Sequence, residues 1–217
     1  MAVSHAEIDK VLGILVKEQG ISTMLGRMGE KYKPFKVLIS TIMSARAKDE
    51  VTEVLAEALF RKYPDCNALA KAKQQDVIKI IRRIGFFNAK SKNVINAAKM
   101  VRDEFGGKVP ENMEDLLKLP GVGRKVANCV LVYAFKQDAI PVDVHVFRIS
   151  NRLGWVKTKT PEETEEALVK LVPQKHWQVV NDTLVSHGKT ICAPVSPKCS
   201  ICPIYKYCKR NGVLKSR

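Results

Sequence analysis

The sequence predicts an all-α protein, and three observations carry that prediction. Apolar residues recur at i, i+3, i+4 and i+7 along most of the chain, capping residues and Pro/Gly segments close each stripe, and only residues 140–146 alternate like a strand. Ser4 and Glu7 form a capping box ahead of Ile8, Val11, Leu12, Leu15 and Val16, a stripe that closes near Gly20. Further stripes run over 35–45 and 50–61, the second with Val51, Val54, Leu55, Ala58 and Leu59 facing inward. Two more cover 75–83 and 89–104, and Gly106-Gly107 stops the latter. Asn112 caps a short helix through Leu117, and Thr160-Pro161-Glu162-Glu163 is a second capping box with proline at the first helical position.

The chain has 217 residues, 46% of them hydrophobic, enough to bury a core in one large domain or two modest ones. No apolar run approaches the roughly 18 residues of a membrane span; the best one, 126–135, contains Asn128 and stops at Lys136. The apolar patch near the N-terminus has Glu7, Asp9 and Glu18 around it and no basic segment ahead of it, so it does not read as a secretory signal, and a cytoplasmic protein is expected. Lys and Arg number 37 against 22 Asp and Glu, a formal charge of +15. So large an excess on so small a body concentrates polyanions, which points to nucleic acid and leaves ribosomal, chromatin and enzymatic readings open. No internal repeat or low-complexity tract appears.

Four of the six cysteines fall at the end of the chain as Cys192-x6-Cys199-x2-Cys202-x5-Cys208, with Pro194, Pro197 and Pro203 between them. Prolines and short loops let four thiolates converge, as a tetrahedral zinc or a cubane iron–sulfur cluster requires. Disulfides do not persist in a reducing cytoplasm, and only one gap resembles a zinc knuckle, so the spacing leans toward iron–sulfur. Cys66 and Cys129 read as buried, unreactive thiols.

Leu119-Pro120-Gly121-Val122-Gly123-Arg124-Lys125 joins two helical stripes through a turn with two glycines. Such a turn exposes main-chain N–H groups at the start of the second helix, a phosphate site that ignores base sequence. An ordinary αα-turn fits the spacing equally; the net charge and the flanking Arg-Lys favour DNA. Lys125 stands in the first turn of that helix, where the macrodipole opposes a second positive charge and favours the neutral, nucleophilic amine. A simple phosphate contact is the other role open to it. Asp143, eighteen residues on, stands where a helix could begin and would be held ionised there, or would serve only as an N-cap. His145, one turn further, reads as structural. Together a lysine and a carboxylate suit chemistry at a deoxyribose. The carboxylate stabilises positive charge at C1′ as a base departs, and the amine bonds to that carbon.

The order of these features resembles endonuclease III, the family of bifunctional DNA glycosylases within the helix–hairpin–helix superfamily. The resemblance rests on the hairpin 119–125, the segment Val142-Asp143-Val144-His145 and its continuation to Trp155, and the four-cysteine spacing, and it runs from about Pro34 to Cys208. It implies that superfamily's two-domain fold: a six-helix barrel over 26–137 holding the hairpin, a discontinuous cluster domain of 1–25 plus 138–217, and a cleft between them. It further implies a [4Fe-4S] cluster on Cys192, Cys199, Cys202 and Cys208, Lys125 as the Schiff-base nucleophile and Asp143 as its catalytic partner. DNA would be held at Gly121, Val122, Gly123 and Arg124, and a monovalent cation by the carbonyls of Leu117, Leu119 and Val122. The implied partner is double-stranded DNA carrying damaged bases, typically oxidised pyrimidines, or abasic sites, bound by a monomer in the nucleoid.

The family extrudes the damaged base, and two positions match its gap-filling segments. Phe86, in Ile84-Gly85-Phe86-Phe87-Asn88, stands where the family has an apolar wedge; a core phenylalanine is the alternative. Arg46 stands where the family has glutamine, and its donors without acceptors would favour guanine opposite the lesion. Val144 replaces the family's threonine, and Lys198 is the one basic residue in a cluster loop where the family has several. Two other functions remain open: a monofunctional glycosylase of the same superfamily, acting on mismatched thymine or uracil, and a non-catalytic DNA-binding protein whose cluster senses redox state.

Overall fold

A computed structural model describes residues 3–19 and 23–217. Twelve α-helices and three short 3-10 turns occur among the described residues, with no strand. In order they are α1 (His5–Gln19), α2 (Met24–Lys31), α3 (Pro34–Ser44), α4 (Asp49–Lys62), α5 (Cys66–Ala70), α6 (Gln74–Ile81), α7 (Phe87–Asp103), α8 (Met113–Lys118), α9 (Arg124–Phe135), α10 (Val144–Leu153), α11 (Pro161–Leu171) and α12 (Trp177–Thr190). The helices divide into two compact units, one of residues 24–137 and one of residues up to 23 together with 138–217.

The 24–137 unit is built on α3 and α9. Every residue from Val37 to Met43 and from Val126 to Tyr133 is buried, Ser40, Thr41 and Asn128 included, so over these spans the two helices present no face to solvent and lie inside the unit. They pack on each other, and α2, α4, α7 and α8 cover them. Gly29 of α2 allows the closest approach: a β-carbon there would stand 2.5 Å from the Tyr133 carbonyl oxygen. In the other unit α1 and α10 pack on α12, and α11 packs on α10. Ile8, Val11, Leu12 and Leu15 meet Val146, Ile149 and Leu153, Leu168, and Val180 and Leu184 in one core.

Several expectations need correction. The alternating segment 140–146 forms no strand; its first part is irregular and Val144 opens α10. On α4 the inward face is Thr52, Leu55, Ala56, Leu59 and Phe60, and Val54 is exposed. Thr52 can face the core because its hydroxyl donates to the Lys48 carbonyl at 2.9 Å. Val16, counted into the first stripe, is also exposed, and that stripe's expected close near Gly20 lies outside the described residues. The Ser4 box supplies its expected bond, Glu7 N–H to Ser4 Oγ at 3.2 Å. The second box is shifted. Thr160 Oγ1 accepts from Glu163 N at 3.1 Å, but the Glu163 carboxylate accepts from Lys159 N at 2.8 Å rather than from Thr160.

Three helices escape periodicity reasoning. Two glycines lower the helical propensity of α2, and α5 has only five residues. The third, α12, buries Asn181, Asp182, Thr183, Ser186 and His187, so no apolar stripe marks it. Two of those polar groups find tertiary partners: Asn181 Nδ2 donates to the Pro141 carbonyl at 2.8 Å, and the Asp182 carboxylate accepts from the Thr23 main chain at 3.1 Å and from its hydroxyl. The Thr183 hydroxyl donates back to the Val179 carbonyl of its own helix at 2.7 Å.

Candidate active site and cysteine centre

In the 24–137 unit a turn of five residues joins α8 to α9. Asn112 caps α8 by accepting from Asp115 N at 2.9 Å, and Leu119 and Val122 anchor the turn in the core. Val122 N donates to the Leu119 carbonyl at 3.0 Å and tightens it. Gly121 has φ +81°, and a β-carbon there would press within 3 Å of the Asn93 side chain on α7. A non-glycine residue would meet both the left-handed backbone and that contact. Gly123 differs. It is extended, caps α9 with no side-chain hydrogen bond, and has nothing within 4 Å of where a β-carbon would stand. The start of α9 therefore presents its dipole with open space in front of Gly123, as phosphate binding requires. Gly121, Gly123 and Arg124 are exposed, and Lys125, the second residue of α9, is half-buried.

Asp143 belongs to the other unit, where it caps α10. Its Oδ1 accepts from His145 N at 2.8 Å and from Val146 N at 2.9 Å. Oδ2 takes no hydrogen bond among the described residues. The capping role is real and leaves one oxygen for other work. Because Asp143 satisfies two main-chain donors by itself, the helix end does not need the hydroxyl missing at Val144, which is exposed. His145 packs where Gly188 of α12 leaves room, and its Nδ1 lies 3.2 Å from Arg148 Nη2.

Arg46 and Phe86 come together. The Arg46 guanidinium carbon lies 5.9 Å from the Phe86 ring centroid, in cation–π range. Phe86 is 64% exposed, which removes the core alternative. Both residues have left-handed backbones, φ +53° and +60°, a conformation that costs a bulky side chain of order 1 kcal/mol.

The four C-terminal cysteines line one cavity with Ile149, Leu153, His187 and Ile204, and none is in a disulfide. Burial pushes the Cys202 thiol up to about 11 and raises Cys208 as well, so neither ionises readily unless positive charge sits beside it. Among the described residues no three His, Cys, Asp or Glu side chains gather closely enough to hold a single metal ion. Two arginines of α10 serve this region. Arg152 Nη1 donates to Cys192 Sγ at 3.3 Å and to the Ala193 carbonyl at 2.7 Å, and Nη2 to the Pro194 carbonyl at 2.7 Å. Arg148 Nη2 donates to the Cys192 carbonyl at 2.8 Å. His187 Nε2 lies 3.7 Å from Cys202 Sγ, and burial lowers its pKa to about 4. Sequence reasoning missed both arginines, although an i, i+4 Arg pair on the helix that Asp143 opens was a signal. Lys198 is exposed, and its N–H donates to the Ile191 carbonyl at 3.0 Å. Cys66 and Cys129 are buried, as expected of structural thiols.

A helical protein with a glycine-rich hairpin opening a buried helix, a strongly basic charge and a four-cysteine tail defines a class of DNA-handling proteins. The comparisons make the class specific. Residues 39–174 match the HhH-GPD superfamily of base excision DNA repair proteins, and the chain belongs to that family. It is 48% identical to Endonuclease III of Thermotoga maritima over 176 residues, 81% of this chain and 83% of the relative. The structure of a trapped covalent Endonuclease III–DNA intermediate superposes with a TM-score of 0.87 at 31% identity, covering 96% of this chain and 97% of that one. A thermostable thymine-DNA glycosylase superposes with a TM-score of 0.84 at 25% identity, covering 94% and 96%. The all-α expectation and the superfamily fold are thus met. No described helix is long and apolar enough to cross a membrane.

Proposed function

We propose that this protein is a base-excision-repair DNA glycosylase with abasic-site lyase activity, in which Lys125 is the nucleophile and Asp143 the charge-stabilising carboxylate. The observation that carries the reading is the hairpin: α9 begins at a glycine N-cap, Gly123, that brings no side chain over the helix end, with Lys125 as the second residue of the helix. Gly121, Val122, Gly123 and Arg124 hold DNA phosphate there, and the 24–137 unit works as the hairpin domain while the cysteine-bearing unit positions Asp143. The Asp143 carboxylate stabilises positive charge at C1′ as the C1′–N bond breaks and its electron pair leaves with the base. The neutral Lys125 amine bonds to C1′, loses a proton, and the sugar ring opens to a protonated imine. That imine acidifies C2′; loss of a C2′ proton expels the 3′ phosphate, and water then hydrolyses the imine and frees the lysine.

Cys192, Cys199, Cys202 and Cys208 would hold a [4Fe-4S] cluster. The donor set supports it: four unpaired sulfurs around one cavity, two of them thiols that need adjacent positive charge to ionise, and an arginine donating to Cys192 Sγ. Neither reaction moves net electrons, so the cluster's part is to organise the 192–208 segment, with Lys198 on its surface for the backbone of DNA. The Leu117, Leu119 and Val122 carbonyls are the candidate monovalent-cation ligands; Leu119 already accepts one hydrogen bond. Arg46 and Phe86 fill the space left by an extruded base, preferentially an oxidised pyrimidine, in duplex DNA bound by a monomer in the nucleoid. Their exposed, stacked arrangement supports that role.

Borohydride reduction on damaged duplex DNA tests the reading. A covalent adduct that disappears with Lys125→Ala is expected. Release of free base without an adduct would move the protein to the monofunctional glycosylases.

A further inference from the structure

We propose that the cavity at the end of α9 remote from the hairpin binds a nucleoside monophosphate. The cavity measures about 620 Å³, within the range of small-molecule sites, and lies wholly inside the 24–137 unit. Phe135, the last residue of α9, lines it, about 18 Å along the helix from Gly123. It is therefore separate from the phosphate site of the hairpin.

Three features of the lining select the ligand. The first is charge. Lys31 is taken by Glu57 at 3.0 Å, and Asp65 is taken by the Ala68 N–H at 2.8 Å. Lys33 and Lys108 are exposed and have no carboxylate partner among the described residues. The Lys36 ammonium is held over two rings, 5.2 Å from the Tyr32 centroid and 5.3 Å from that of Phe60. Among the described residues Lys33, Lys36 and Lys108 thus line the cavity without an ion-pair partner, against the carboxylates of Asp65 and Glu111. With Lys31 the lining carries more positive than negative charge, which suits a phosphate monoester. The second feature is shape: the half-buried rings of Phe35 and Phe135 offer apolar walls to a flat heterocycle. The third is Glu111, whose carboxylate makes no hydrogen bond among the described residues and can accept from a base N–H or a sugar hydroxyl. Inorganic phosphate lacks the ring, and a fatty acid lacks both the double charge and the donors. A nucleotide has all three.

Calorimetric titration of the full chain with thymidine 5′-monophosphate, and separately with inorganic phosphate, tests the assignment. Saturable nucleotide binding with Kd below about 1 mM is expected, with phosphate at least about tenfold weaker. The double variant Lys33→Gln/Lys108→Gln should lose at least about tenfold in nucleotide affinity while cleaving an abasic-site duplex as fast as the parent. Lys125→Ala should bind the nucleotide normally. Absence of saturation, phosphate binding as tight as the nucleotide, or binding abolished by Lys125→Ala and untouched by the double variant would each overturn the proposal. The last outcome would place the nucleotide in the repair site.

Discussion

Asp143 carries two duties that a single substitution can separate. Asn at this position keeps an oxygen acceptor for the His145 and Val146 N–H groups, so Asp143→Asn should cost less than about 1 kcal/mol of stability. It removes the negative charge, and single-turnover base release should fall by about a hundredfold or more. Equal melting temperatures with equal rates would show the residue to be a cap and nothing else. Phe86 makes the opposite trade. Its ring is exposed and its backbone left-handed, so Phe86→Gly should raise stability by up to about 1 kcal/mol while weakening binding to lesion-containing duplex. A variant that is less stable than the parent, or that binds damaged DNA equally well, would contradict a role outside the core. Cys192 shows how a residue's setting extends beyond its own type: the sequence names it as a candidate ligand, and only the fold brings Arg152 to its sulfur and Arg148 to its carbonyl.

Among the helices, glycines of identical composition do unlike work. Gly29 lets α2 seat against α9, and its missing β-carbon would meet main-chain atoms that cannot rotate away. Gly29→Ala should therefore destabilise the protein by about 1–3 kcal/mol. Gly123 has an extended backbone and open space before it. Gly123→Ala should cost less than about 1 kcal/mol, since glycine is only the better N-cap, yet reduce affinity for undamaged duplex by placing a methyl where phosphate approaches. Thermal unfolding and fluorescence anisotropy on the two variants distinguish them; a large loss of stability at Gly123 with intact DNA affinity would contradict the phosphate-site reading. At this scale sequence reasoning worked where an amphipathic face or a cap was strong. It placed α1, α3, α4, α6, α7, α8 and α11, the hairpin turn, and the starts of α9 and α10. It mis-phased α4 because a threonine that bonds back to its own helix can face the core as well as a valine.

For the whole molecule, a base-excision-repair glycosylase and lyase, the proposed cluster ties a stretch poor in regular structure to the core. Cys192, Cys202 and Cys208 pack against the same hydrophobic cluster that α1, α10 and α12 build. Stripping the iron should abolish visible absorbance and lower the melting temperature by at least about 5 °C. Colour lost with an unchanged melting curve would reduce the cluster to a bystander, and a colourless native protein would favour zinc. By itself, the sequence determined the helical class, the basic partner surface, the hairpin with its lysine, the candidate carboxylate and the four sulfurs. These are legible because each depends on residue type at short spacing, where local geometry follows directly from the chain. The tertiary structure alone decided that α12 is a core helix, that Arg46 stacks on an exposed Phe86, and that Arg148 and Arg152 hold the first cysteine. Those outcomes turn on which distant group satisfies a buried polar atom or covers a ring, and no pattern of neighbouring residues encodes the partner.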